Sequence, residues 1–137
     1  MSFTVAVLDD VGYNRIDDVR ATELCAAVFS HRGLDLGRTG EVSLALVDSR
    51  VIRDLNREFR GVDAPTDVLS FEIDGPYGEM AGEIVIAPEC AGPGMDVEEL
   101  VIHGALHLSG MDHGEDFEAS EMARVQEAIT RAVRSRG

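Results

Sequence analysis

Three histidines fall within eleven residues of this 137-residue chain, in the segment HGALHLSGMDH that runs from His103 to His113. His103 and His107 are four apart, so on a helix their rings leave one face about a turn from each other. Gly110 breaks that helix and lets the chain turn sharply, which brings His113 back toward the same point. Three neutral imidazoles that leave a fourth position to water are the donor set of a catalytic zinc ion, not of a closed structural one. A lone histidine on an apolar face is usually a core residue, but three at this spacing, buried without a shared ligand, would strand several polar nitrogens. The expectation is one Zn2+ ion, held by His103, His107 and His113 and used for hydrolysis. The fourth histidine, His31, lies near an expected helix C-terminus, where it suits the helix dipole and reads as structural.

The HxxxHxxGxxH spacing is also that of metzincin metallopeptidases, which carry glutamate as general base directly after the first histidine. This chain has Gly104 there, and glycine takes no proton from water. A peptidase or amidase of another kind is therefore a weakened alternative, and a non-catalytic, metal-stabilised binding module is a third. Cys25 and Cys90 are the only cysteines, too few and too far apart for a disulfide framework. Cys25 reads as a small core residue. Cys90 lies in a loop near the histidines, but three imidazoles already complete the set.

The elements that must position these residues follow from periodicity and punctuation. Thr4 to Leu8 predicts a strand and Asp17 to Ser30 a helix with Val19, Leu24, Ala27 and Val28 inward. Glu41 to Val47 predicts a second strand. Asp48 caps a helix from Ser49 to Arg60, with Ile52, Leu55 and Phe59 inward, and Gly61 stops it. Val68 to Ile73 and Glu83 to Ala87 predict an antiparallel pair. Asp96 with Glu99 forms a capping box for a helix ending at Ser109. That helix is apolar almost all round and so is buried mid-domain. A last helix runs from about Phe117 to Arg134, with Met122, Val125, Ile129 and Val133 inward. The order is that of a single α+β domain over residues 1–137: a small mixed four-stranded sheet with helices packed on it and a central buried helix carrying His103 and His107.

Composition narrows the setting. Nearly half the residues are hydrophobic, and the net charge is −14. No apolar run is long enough to span a bilayer, and MSFTVAVLDD lacks the basic start of a signal peptide, so a cytoplasmic address without membrane contact is expected. The charge alone argues against nucleic acid. Its distribution says otherwise. The chain has no lysine, and Arg50, Arg53, Arg57 and Arg60 recur at steps of three, four and three, within about 80° on an ideal helix.

HGALHLSGMDH is similar to the His-Gly-x-Leu-His-Leu-x-Gly-x-Asp-His signature of the YbeY family of rRNA maturation endoribonucleases. LNREFRGVDAPTDVLSF, residues 55 to 71, resembles that family's second signature, with Arg60 in its arginine position. GEIVIA (82 to 87) and Glu121–Met122 follow in the family's order. The resemblance implies a cytoplasmic, zinc-dependent, single-strand-specific endoribonuclease acting in 16S rRNA 3′-end maturation and ribosome quality control. Its implied partners are single-stranded rRNA, the small ribosomal subunit and assembly factors. It also implies that His103, His107 and His113 ligate the metal and that Arg60 is the catalytic or substrate-binding arginine. Two departures bear on substrate contacts: the stretch between Ala87 and His103 is short, and Met111 replaces a usual tyrosine. Against this background the arginine face can grip phosphates in forks, or can simply keep the helix soluble beside Asp48, Asp54 and Glu58. Asp112 is the nearest candidate to orient an imidazole, with Asp67 and Ser70 weaker ones. Arg131, Arg134 and Arg136 suit either RNA or a helix end.

Overall fold

Strands β1 (Val5–Asp9), β2 (Val42–Leu46), β3 (Val68–Asp74) and β4 (Met80–Ile86) form one mixed sheet in the order β1-β2-β4-β3. The computed structural model describes residues 3–75, 79–112 and 120–135. β1, β2 and β4 are parallel, and β3 runs antiparallel along β4, with Ser70 opposite Ile84. The hairpin joining β3 to β4 gives the antiparallel pair expected from the short connection. The parallel neighbours are separated by helical crossovers, as parallel pairing requires.

Side-chain alternation divides the sheet into two faces. Val42, Leu44, Leu46, Ile84 and Ile86 join one buried cluster, while Ala45, Val47, Val85 and Ala87 join another. The first face is covered by α1 (Asp18–His31) and α3 (Val97–Leu108), on which α4 (Glu121–Ser135) packs; the second receives Ile52 and Leu55 of α2 (Ser49–Arg60). The result is an α+β domain of three layers.

Helix ends follow the sequence closely. Asp17, Asp48 and Asp96 each cap a helix by accepting from a backbone N–H. Gly61 closes α2 in the left-handed region at φ 71°, a conformation glycine adopts without a Cβ penalty. The capping box is only half formed. Asp96 accepts from the Glu99 N–H at 2.9 Å, but the Glu99 carboxylate pairs with Arg134 at 3.3 Å. Two inward assignments are corrected. Val19 is exposed on α1, whose buried face is Ala21, Leu24, Cys25, Val28 and Phe29. Phe59 is 61% exposed, and α2 instead buries Ile52 and Asn56. Asn56 is tolerated there because its amide donates to the Ala64 carbonyl at 2.9 Å. The expected start of the last helix at Phe117 lies outside the described residues; Ser120 Oγ accepts from the Ala123 N–H at its N-terminal end.

α3 is the central helix. Eight of its residues are buried, and it is packed by α1 on one side, α4 on another and the sheet beneath. No helix among the described residues is long and apolar enough to cross a membrane.

Candidate functional site

His103 and His107 lie on α3 with their Nε2 atoms 3.1 Å apart and their rings crossed at 75°. Each ring is held from behind. His103 Nδ1 is 2.8 Å from Gln126 Oε1 on α4, and His107 Nδ1 is 3.1 Å from the Met111 carbonyl. Both of those oxygens accept, so each neutral ring carries its proton on Nδ1 and has Nε2 as its metal-ligating nitrogen. Two nitrogens at zinc-ligand distance in a tetrahedron are about 3.3 Å apart. The donor type, the tautomers and the spacing therefore fit a zinc ion. His113, the third expected ligand, lies outside the described residues, and among those residues no set of three or more His, Cys, Asp and Glu side chains is gathered around a metal position.

Gln126 is the residue that sequence reasoning missed. It is buried on the same face as Met122, Ile129 and Val133. Its signal was a polar residue four positions after Met122 on an apolar stripe, where a buried amide must have a partner. Asp112, the expected orienting group, is exposed, with Oδ1 3.9 Å from His107 Nδ1. The Met111 carbonyl is nearer, and a backbone acceptor works whichever side chain stands at 111.

Gly104 has a steric reason. A Cβ at that position would lie 2.6 Å from Ile84 Cγ2 and 3.1 Å from Ser70 Oγ. Without one, α3 settles onto β3 and β4 closely enough for the Ser70 hydroxyl to donate to the Gly104 carbonyl at 2.9 Å. Ser70 also accepts at its backbone carbonyl from Arg60 Nη2 at 3.3 Å. A chain of two hydrogen bonds thus runs from the end of α2, across edge strand β3, to the residue beside His103. Arg60 is otherwise exposed, with donors to spare.

The arginine stripe is not uniform. Arg53 bonds Asp63 at 2.8 Å, and Arg57 pairs with Asp54 at 3.2 Å. The Arg53 guanidinium, by hydrogen bond first and charge second, holds the Asp63 carboxyl below its usual range. These two arginines are largely committed to neighbouring carboxylates. Arg131 pairs with Glu127, and Arg134 ties α4 to Asp96 and Glu99 of the α3 N-terminus; Arg136 lies outside the described residues. Cys25 is fully buried, which pushes its thiol up to about 12, as an inert core residue should be. Cys90, half-buried beside the α2 cluster, is also raised, by burial first and then by Glu89 and Asp67.

The geometry can be set against known proteins. The model of the family described as Endoribonuclease YbeY matches residues 12–134. An Endoribonuclease YbeY from Rubrobacter xylanophilus is 66% identical over 137 residues, which cover 99% of this chain and 100% of that one. An Endoribonuclease YbeY from Treponema denticola is 35% identical over 146 residues, covering 94% and 92%. The solution structure of a Thermotoga maritima protein is similar with a TM-score of 0.53 and 25% identity, over 96% of this chain and 93% of that one. The same order of helices and strands, with paired histidines on the central helix and an arginine at the β3 edge, thus sits in a chain matched almost end to end: it belongs to the Endoribonuclease YbeY family.

Proposed function

We propose that this protein is a cytoplasmic, zinc-dependent, single-strand-specific endoribonuclease that acts in 16S rRNA 3′-end maturation and ribosome quality control. One zinc ion would be held by His103, His107 and His113, and Arg60 would bind the phosphate being cut. Family membership supports the RNA-cleaving activity. The observation that carries the site is the pair of Nε2 atoms 3.1 Å apart, with both Nδ1 atoms engaged by oxygen acceptors.

A bound zinc ion supplies Lewis-acid activation of an oxygen nucleophile near neutral pH. The chain's own residues do the rest. Gln126 and the Met111 carbonyl keep both Nε2 atoms as donors and fix the ring planes. Gly104 sets the depth of α3 against β3. Arg60, on the far side of that strand, offers guanidinium N–H groups to the phosphoryl oxygens as charge grows on them. Gly104 also weakens a peptidase reading, since its place is filled by Ile84 and Ser70 and leaves no room for a glutamate base.

The net charge of −14 repels free RNA at long range, so binding to naked RNA is expected to be weak and salt-sensitive. The small ribosomal subunit or an assembly factor would then present the substrate. The test is direct. Bound metal is quantified, and the protein is incubated with single-stranded RNA and with casein, beside His107→Ala and Arg60→Glu. RNA cleavage lost in both variants, with metal lost in His107→Ala, is the expected result. Cleavage that survives in a metal-free His107→Ala preparation, or casein cleavage, would overturn it.

A further inference from the structure

The α2 end of the molecule carries an exposed apolar patch that the chemistry above does not use. Phe59 is 61% exposed and meets Phe71 edge to face, ring centroids 5.2 Å apart at 67°. Ile73, two residues beyond Phe71 on the same face of β3, is 57% exposed, and Val62, just past the end of α2, is 49% exposed. Isolated surface apolar residues are ordinary; an exposed aromatic ring packed on a second ring, with further exposed apolar residues on the same strand and just past the same helix, is not. Phe59 is also not needed to anchor its helix, since Ile52 and Asn56 are the buried residues of α2. Its neighbour in the chain is Arg60, which reaches the Ser70 carbonyl of the same strand that carries Phe71.

We propose that Phe59, steadied by Phe71, is a stacking platform for a base of single-stranded RNA whose phosphate is held by Arg60. This rests on the endoribonuclease reading above and adds a residue to it. A planar aromatic surface beside a guanidinium matches the two faces of a nucleotide, a π-surface and a phosphate, and such pairs bind single strands with little sequence preference. A duplex keeps its bases stacked on each other, so the platform is open only to unpaired nucleotides and accounts for single-strand selectivity. β3 divides the platform from the imidazole pair, and Arg60 bridges it. The stacked base therefore belongs to a nucleotide joined to the phosphate being cut.

The test uses the zinc-loaded full chain with a dye-labelled single-stranded 12-mer RNA, and the same oligomer with abasic positions throughout. Affinity is read by anisotropy and cleavage separately. Phe59→Leu, which keeps an apolar side chain but no ring, should weaken binding to the 12-mer by about five- to a hundredfold, with KM rising more than kcat falls. Phe59→Trp should restore or tighten binding. On the abasic oligomer the wild type and Phe59→Leu should bind alike. An unchanged thermal transition in Phe59→Leu would show that the loss is not unfolding. Equal affinity of wild type and Phe59→Leu for the 12-mer, or an equal loss on the abasic oligomer, would overturn the platform while leaving the nuclease reading intact. Ring-dependent binding without cleavage would keep the platform and remove the nuclease reading. A wild type that neither binds nor cuts RNA would overturn both.

Discussion

On the α3 face of the sheet, fully buried Leu44, Leu46, Ile84 and Ile86 lie in one core with α1 and α3, on which α4 packs in turn, and the histidines stand on the most enclosed of these helices. On the other face, the smaller residues Ala45, Val85 and Ala87 meet a single helix, which buries Ile52 and Asn56 and leaves Phe59 outside. The two faces support different kinds of chemistry. Ligands that must converge on one point need neighbours that cannot move, and close packing supplies that. A group that grips a flexible polyanion gains more from exposure and reach, and Arg60 at the end of a lightly covered helix has both. Edge strand β3 joins the two through the hydrogen bonds from Arg60 to Ser70 and from Ser70 to Gly104.

If the packed face is as unforgiving as its contacts imply, the smallest possible addition at Gly104 should be felt strongly. Gly104→Ala would force its Cβ to within 2.6 Å of Ile84 Cγ2, on a stiff, fully buried side chain. Overpacking of this sort costs about 1–3 kcal/mol, and the better helix propensity of alanine returns at most about 1. A net loss of about 1–2 kcal/mol in urea unfolding is expected. Phe59→Leu on the open face should stay within about 0.5 kcal/mol of wild type. Equal losses at the two positions would erase the contrast.

The contrast can be sharpened at the imidazoles without disturbing the backbone. Gln126→Leu removes the acceptor behind His103 while keeping much of the buried volume. Orienting groups of this kind are worth about 10–100-fold in metal affinity, so zinc binding measured by competition with a chelator should weaken at least about tenfold. Gln126→Glu keeps an acceptor at the same reach and should bind zinc at least as tightly as wild type. If both variants bound as wild type does, the Gln126 contact would be packing and nothing more.

Much of this was legible in the residues. The element order, the mixed sheet, the buried helix and its two histidines all followed from apolar periodicity, caps and glycines, because those signals are local. What was not legible depended on contacts between distant segments. Nothing local says that Gln126 faces His103 twenty-three positions away, or that a Met111 carbonyl outcompetes the Asp112 carboxylate. Phe59 looked like core because apolar residues at helical spacing usually are. On α2 the buried positions are Ile52 and Asn56, whose amide is satisfied by the Ala64 carbonyl, and Phe59 stays outside. Gly104 looked like a missing base; its tight approach to Ile84 exists only once α3 lies on β4.

The smallest effect concerns how the packed face is held together at its rim. Arg20 on α1 grips Glu98 on α3 in a fork, at 2.7 and 2.9 Å. The hydrogen bonds first, and the charge second, hold the Glu98 carboxyl below its ordinary value of 4.5. A carboxyl depressed by folding adds stability above its unfolded pKa and loses it as the pH falls through the folded one. Both side chains keep between a quarter and a third of their surface in solvent, so screening limits the pair to about 0.5–1 kcal/mol even with two-point geometry. Glu98→Gln should therefore lower unfolding stability by about that much at pH 7. The gap from wild type should narrow as the pH drops below about 4.5 and close once the wild-type carboxyl is protonated, and it should shrink in high salt. A gap that stayed constant through acid titration would mean that Glu98 contributes by shape and not by charge, and that the rim of α3 needs no ion pair to hold the histidine helix in place.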